Sequence, residues 1–205
     1  MGHYTNRIPS PPKTLSEEEQ TRLLQVTGEH RRGFRDHVIF AVALGTGLRE
    51  HEIAALDVSD ISDVEGRVRR RVRLRVFKRS NSDLELQQAV LNETLRAKLR
   101  HYLGWMERHG RSLDPGEPLF VSRKGNRLST RQMRTLLTRW QERAGFERRF
   151  TFHVFRHTAI TNIYRITKDL RLTQRFARHK SAASTERYTH PSIEDLLVSV
   201  QDLPC

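Results

Sequence analysis

The sequence holds a single cysteine, and it is the last residue, Cys205. Neither a disulfide framework nor a thiolate metal cluster can be built from it, and a reducing, cytoplasmic location is the default expectation. Long apolar runs are missing as well: nothing approaches the roughly 18 consecutive apolar residues that span a bilayer. The N-terminus, "MGHYTNRIPSPPK", lacks the apolar core of a secretory signal. It also has Asn6 where a myristoylation signal wants Ser or Thr. No membrane partner is expected. Acidic residues are in short supply, with 24 Asp and Glu against 37 Lys and Arg, a formal net charge of +13. That excess points to a polyanion, because each Lys or Arg that meets a phosphate releases condensed counterions. What is there otherwise, 36% hydrophobic and 30% charged over 205 residues, suits a soluble globular protein with one sizeable core or two small ones.

Along the chain, residues 1–13 carry three prolines and read as an extended arm. In "TLSEEEQTRLL", Thr14 and Glu17 form a capping box, and Leu15, Leu23 and Leu24 give the helix an apolar side. A second, apolar helix covers 34–44 and breaks at Gly45 to Gly47, where glycine permits a tight turn. A short helix starts near Arg49. In "RVRLRVFK", Val72, Leu74 and Val76 alternate with Arg71, Arg73 and Arg75, the two-residue period of a half-buried strand. Leu84, Leu86 and Val90 mark the return strand of a β-hairpin with Lys78 at its tip. Two longer helices follow, one capped by Asn92 and one running from Ser129 to Gly145. Shorter ones are expected over 154–165, 169–177, 182–188 and 192–201. The expected fold class is mainly α with a small antiparallel β-hairpin sheet, an α+β domain over 14–205.

Several constellations carry chemistry. In "GTGLREHEIAAL" Arg49 stands where the turn meets a helix, with Glu52 three residues on. Such an arginine can offer a planar fork of donors to an anion, held by the carboxylate; an ordinary surface ion pair has the same spacing. "GTG" completes neither of the glycine-rich nucleotide loops. In "TFHVFRHTAIT" His153 and Arg156 are helical neighbours. His153 and His157, four apart, invite a zinc reading, but Val154 stands where the metalloprotease pattern needs Glu. Polar residues at a helix start account for the pair equally well.

Taken in order, Arg49, Lys78, His153, Arg156, His179 and Tyr188 resemble the tyrosine recombinase (phage integrase) family, in the segments "TGLREHE", "VFKRS", "HVFRH", "ARHKS" and "ERYTH". Arg156 and His179 are 23 residues apart and His179 and Tyr188 nine, both usual in the family. The resemblance covers roughly residues 14–200. It implies the family's catalytic-domain fold and a site-specific DNA recombinase, with Tyr188 attacking a phosphodiester to leave a 3′-phosphotyrosyl bond and a free 5′-hydroxyl. A phosphoryl transition state spreads negative charge over its oxygens, so fixed cations and donors supply most of the catalysis. Arg49 and Arg156 would clamp those oxygens and His179 would add a hydrogen bond. A phenol has a pKa of about 10, and His153 is the candidate acceptor of its proton. Lys78 would protonate the leaving 5′-oxygen, and Glu52 would orient Arg49. No cofactor and no metal are expected.

Departures from the family pattern fall at two places. Arg178 replaces the usual Gly before the second histidine, adding bulk and charge near the site. The hairpin tip "KRSNSD" is not Gly/Lys-rich, and Arg79 cannot replace Lys78 as an acid because its pKa is too high. Most family members also carry an N-terminal core-binding domain, and this chain begins about where their catalytic domain begins. It is expected to be a natural single-domain member rather than a fragment, its arm and the arginines Arg69, Arg71, Arg73, Arg75 and Arg79 gripping double-stranded DNA. By the same resemblance, residues 192–201 form a tail that docks on a neighbour in a homo-tetramer, a dimer at each DNA site, with accessory DNA-bending proteins as further partners. Competing readings are a type IB topoisomerase, a non-catalytic DNA-binding protein of the same fold, and a zinc hydrolase on His153 and His157.

Overall fold

A computed structural model of the chain describes residues 13–30, 33–74, 88–188 and 200–201. The described residues form nine helices and one two-stranded sheet, and the expected fold class holds. Of the expected arm and tail helix, all but Lys13, Val200 and Gln201 lie outside them.

Helix α1 (Glu17–Glu29) starts two residues later than the sequence suggests. Both "TLSE" and "SEEE" fit a capping box, and the chain uses the second. The Glu19 N–H donates to Ser16 Oγ at 3.1 Å, and the Ser16 N–H donates to a Glu19 carboxylate oxygen at 2.8 Å. Thr14 is denied the role because Leu15 is buried and its N–H donates to Thr158 Oγ1 at 2.9 Å, which keeps the chain extended up to Ser16. Helix α2 (Phe34–Thr46) is the centre of the molecule. Residues 38–43, Val-Ile-Phe-Ala-Val-Ala, are all buried, as befits a helix apolar all round. It packs against α1, α3 (Glu50–Ala54), α5 (Glu93–Arg108) and α7 (His153–Thr167). Phe40 stacks on Phe155, whose edge meets Phe150 and Phe152.

Asn92 caps α5 as expected, its side chain accepting from the Leu95 N–H. Helix α6 (Thr130–Arg143) has Ser129 as N-cap; Ala144 is its C-cap, and Gly145 just beyond takes φ +64°. Four-residue α4 (Val58–Ile61), α8 (Leu170–Ala177) and α9 (Ala183–Glu186) complete the helices. The sequence reading does not contain α4, which is too short to show a period.

The sheet pairs β1 (Arg71–Arg73) with β2 (Gln88–Val90), Val72 facing Ala89. Val72 and Leu74 are buried and Arg71 is exposed, in the expected phase. The return strand is out of phase with expectation: Val90 is exposed, while Ala89 and Leu91 face the core. Single-residue alternation makes this an all-or-none matter, because shifting by one position turns every side chain to the other face. Residues 75–87, including Leu84, Leu86, Lys78, Arg75 and Arg79, lie outside the described residues, as does the Arg73 side chain. Among the described residues no helix is long and apolar enough to cross a membrane.

Candidate active site

The corner between α2 and α3 is set by one glycine. Gly47 caps α2 at φ +60°, and its N–H donates to Ala43 O. A β-carbon there would stand 3.2 Å from the Phe176 ring and 3.5 Å from Ala159, so conformation and space both require glycine. The Gly47 carbonyl accepts from Arg156 Nη1 at 2.7 Å. Two residues on, Arg49 is the N-cap of α3 with its side chain about one third exposed (36%). Glu52, almost wholly buried, reaches back to it. Its two oxygens accept from the Arg49 N–H at 2.7 Å and from Arg49 Nη1 at 3.0 Å. Glu52 thus contacts Arg49 at both the backbone N–H and one guanidinium nitrogen.

Helix α7 contributes His153, Arg156 and His157 on one side. Arg156 is 3% exposed and straps two segments together, donating to Gly47 O on one side and to Ala177 O on the other. Burial, then the nearby Arg49 and Arg178, pull its pKa down to about 9 against Glu52 and Tyr188, which still leaves a cation at neutral pH. An open cleft of about 480 Å³ lies before these groups, lined by Arg49, Glu50, Arg134, His153 and Arg156. A larger cleft, about 670 Å³ around Phe34 and Trp105, shares no residue with it.

The last part of the site comes from α8, α9 and the turns after them. Ala177, Ile160 and Tyr188 form a small cluster against Phe176, apart from the main core. The His179 Nδ1 and Thr185 Oγ1 share a hydrogen bond of 2.9 Å, and Gln174 donates to the His179 carbonyl. Tyr188 is 7% exposed, and its hydroxyl shares a 2.6 Å hydrogen bond with His157 Nδ1. The His179 ring lies nearly parallel to the phenol, centroids 6.1 Å apart, and the Arg187 guanidinium stands over the phenol at 5.9 Å. Burial raises the phenol pKa more than Arg156, Arg187 and Arg49 lower it, so the resting tyrosine is protonated.

All three histidines are neutral at pH 7. Burial first, then surrounding arginines, brings His179 to about 4. Burial and neighbouring His153 bring His157 to about 4, and burial with Arg156 lowers His153. A neutral imidazole can accept a proton, which an imidazolium cannot. Glu52 is ionised: burial opposes its charge, but Arg178, the Arg49 N–H and the Arg49 and Arg156 guanidinium groups together hold its pKa below the usual carboxylate range.

Five of the six residues singled out from the sequence, Arg49, His153, Arg156, His179 and Tyr188, therefore come together with Glu52; Lys78 lies outside the described residues. Sequence reasoning misses two members. His157 figures there only in a zinc reading, yet it is the ring against the phenol, while His153 packs edge-on against His157 at 4.5 Å and lines the cleft. Arg178 is not beside the site but inside it, 4% exposed and bonded to Glu52. Among the described residues no group of three His, Cys, Asp or Glu could hold a metal ion. Of the arginines expected to grip DNA, Arg71 is exposed, and Arg69 is exposed with its Nε donating to the Ser62 carbonyl.

Arg49 and Arg156, the buried Tyr188 and the three histidines thus stand in one region, with Arg49, His153 and Arg156 lining the cleft. Residues 13–194 match the model of the phage integrase family. Tyrosine recombinase XerC of Vibrio cholerae serotype O1 is 27% identical over 187 residues, covering 90% of this chain and 56% of XerC. The crystal structure of XerA recombinase superposes with a TM-score of 0.74 at 28% identity, over 96% of this chain and 67% of XerA. XerH recombinase, solved on its difH substrate before cleavage, gives 0.68 at 21% identity over 92% of this chain and 53% of XerH. The chain belongs to the phage integrase family. It spans about half the length of the curated relatives it matches.

Proposed function

We propose that the protein is a site-specific DNA recombinase that cleaves and rejoins double-stranded DNA through a covalent 3′-phosphotyrosyl intermediate. The observation that carries this is the Tyr188 hydroxyl held on the neutral His157 ring, within the field of the buried Arg156 and the half-open Arg49. The name tyrosine recombinase borne by XerC, and the circular intermediate DNA in the complex of the Tn1549 transposon integrase, support DNA as the partner.

In the proposed reaction Tyr188 Oη attacks a phosphorus atom, the P–O5′ bond breaks, and the phenol proton passes to His157. Arg49 and Arg156 draw off charge from the non-bridging oxygens and His179 donates to one of them. His153, lining the cleft, serves as a further hydrogen-bonding group there. Lys78 gives the leaving 5′-oxygen its proton. Because the phosphotyrosyl bond conserves the broken diester, a 5′-hydroxyl can attack it in reverse without ATP. The arginines supply the charge stabilisation, and we propose no metal or other cofactor. A cytoplasmic location, a tetramer on DNA joined through residues 192–205, and accessory bending proteins complete the proposal. Deleting 192–205 should leave single-strand cleavage intact and impair paired strand exchange; equal loss of both would remove the tail from it. The chemistry itself is tested by trapping the covalent adduct on nicked duplexes, with Tyr188→Phe as the control.

A further inference from the structure

Arg178 carries two costs at once. It is one of two non-glycine residues with positive φ among the described residues, at +55°, in the position after α8 where glycine is the easy choice. Its side chain turns inward rather than to solvent, and its Nε is buried with no hydrogen-bond partner among the described residues. Strained backbone and an orphaned buried donor persist only where the surroundings over-determine them.

What the side chain reaches explains the direction. Arg178 Nη2 donates to Glu52 Oε2 at 3.1 Å, and the two side chains are 1% and 2% exposed. That same oxygen accepts from the Arg49 N–H, while Oε1 holds Arg49 Nη1. Nη1 of Arg178 donates to the Phe176 carbonyl, within the segment that leads to His179. One buried carboxylate is thus gripped from two sides: by the partly exposed arginine that lines the cleft, and by a buried arginine one residue before His179. With Arg178 absent, Glu52 would have Arg49 as its one bonded cation among the described residues, and a buried carboxylate in that state draws its partner inward. With Arg178 present, Glu52 engages one guanidinium nitrogen of Arg49, Nη1, among the described residues.

We propose that Arg178 is a positioning residue of this site: it fixes Glu52 from beneath, so that Arg49 is aimed at the cleft rather than withdrawn onto the carboxylate, and it ties the His179 segment to α3. The inference rests on the phosphoryl-transfer reading of the site. It names Arg178 as acting through Glu52 and Arg49, without itself touching DNA.

The test compares Arg178→Gly, which suits the backbone, Arg178→Met, which fills the volume without charge, and Arg178→Lys, which restores the charge. Single-turnover cleavage of a nicked duplex and DNA affinity are measured on the full chain, with thermal melting to confirm folding. Gly and Met are expected to slow cleavage about 10- to 100-fold, the range for supporting partners of a site. Affinity stays within about 2-fold because a side chain this deeply buried makes no phosphate contact. Lys recovers most of the rate. Cleavage by folded Gly and Met variants at the wild-type rate would overturn the proposal, as would a rate loss matched by an equal loss of affinity. A second readout needs no DNA: the His179 imidazole titration followed by NMR. Removing the Arg178 charge raises its midpoint, and Lys returns it. If wild type forms no adduct on any duplex, the recombinase reading falls, and an unmoved His179 midpoint in Arg178→Met then overturns the positioning role separately.

Discussion

The two halves of the site rest on different amounts of protein. Arg49, Glu52 and Arg156 stand on α3 and α7, whose inner faces enter the main core through Ile53 and Phe155, neither of them exposed to any measurable degree. His179 and Tyr188 stand on α8, α9 and their turns, where the buried apolar cluster among the described residues is small: Ile160, Ala177 and Tyr188 itself, with Phe176 against them. Helix α9 is four residues long and has no side-chain cap. Local opening free energy follows buried apolar contact, so the tyrosine segment opens before the arginine pocket does. The lesson is a division of labour. In the proposed reaction the groups that would stabilise charge are the well-anchored ones, as electrostatic catalysis requires, and the nucleophile would be carried on the part with less apolar backing.

Arg156 joins the halves, so its loss breaks the comparison most. Arg156→Ala should reduce single-turnover cleavage by at least about 10²–10³-fold. It should also lower stability by about 1–3 kcal/mol for each carbonyl it orphans, at Gly47 and Ala177. Wild-type melting with abolished cleavage would mean the strap is not structural. Truncating one aromatic in each half sharpens the contrast. Phe155→Ala should cost about 3–5 kcal/mol and Phe176→Ala, only partly buried, roughly 1–2 kcal/mol. Hydrogen exchange should find the amides of 170–188 opening well before those of α2. Equal protection in the two segments would contradict the division.

Acid should act on the site through its histidines. His157 and His179 titrate near 4 when folded and near 6.5 when unfolded, so between these values the unfolded chain binds more protons and stability rises with pH. Stability should therefore be level above about pH 6.5 and fall as the pH drops toward 4, by chemical denaturation at fixed salt. His157→Phe and His179→Phe should each flatten part of that slope, and an unchanged slope in both would remove the histidines as its cause. The smallest effect belongs to the arginines expected to grip DNA. Neutralising Arg71, Arg73 and Arg75 together should weaken DNA binding uniformly across sequences. The salt slope should fall by up to about one for each phosphate that is no longer neutralised.

Much of this is legible in the sequence because the chemistry-bearing residues sit at local boundaries. Arg49 follows a glycine corner, and Arg156 and His153 share a helix turn. Legibility stops where partners are distant or where two readings share one pattern. The His157–Tyr188 hydrogen bond joins residues 31 apart that no periodicity connects. Arg178 reads as bulk beside the site because an arginine in a basic chain is expected at the surface, and only the carboxylate of Glu52, 126 residues earlier, draws it in. The start of α1 has two matching capping boxes, decided by Leu15 packing on the core. In the sequence Leu84, Leu86 and Val90 suggest one phase for the return strand, whereas buried Ala89 and Leu91 take the other.

The proposed reaction joins Tyr188 covalently to DNA. Nicked duplexes carrying DNA that flanks the chain's own coding region would be incubated with wild type and Tyr188→Phe and resolved on a denaturing gel. A protease-sensitive protein–DNA adduct with wild type alone, its phosphate at a 3′ end, is the predicted result. Binding in native gels with no adduct from wild type, or an equal adduct from Tyr188→Phe, would contradict it.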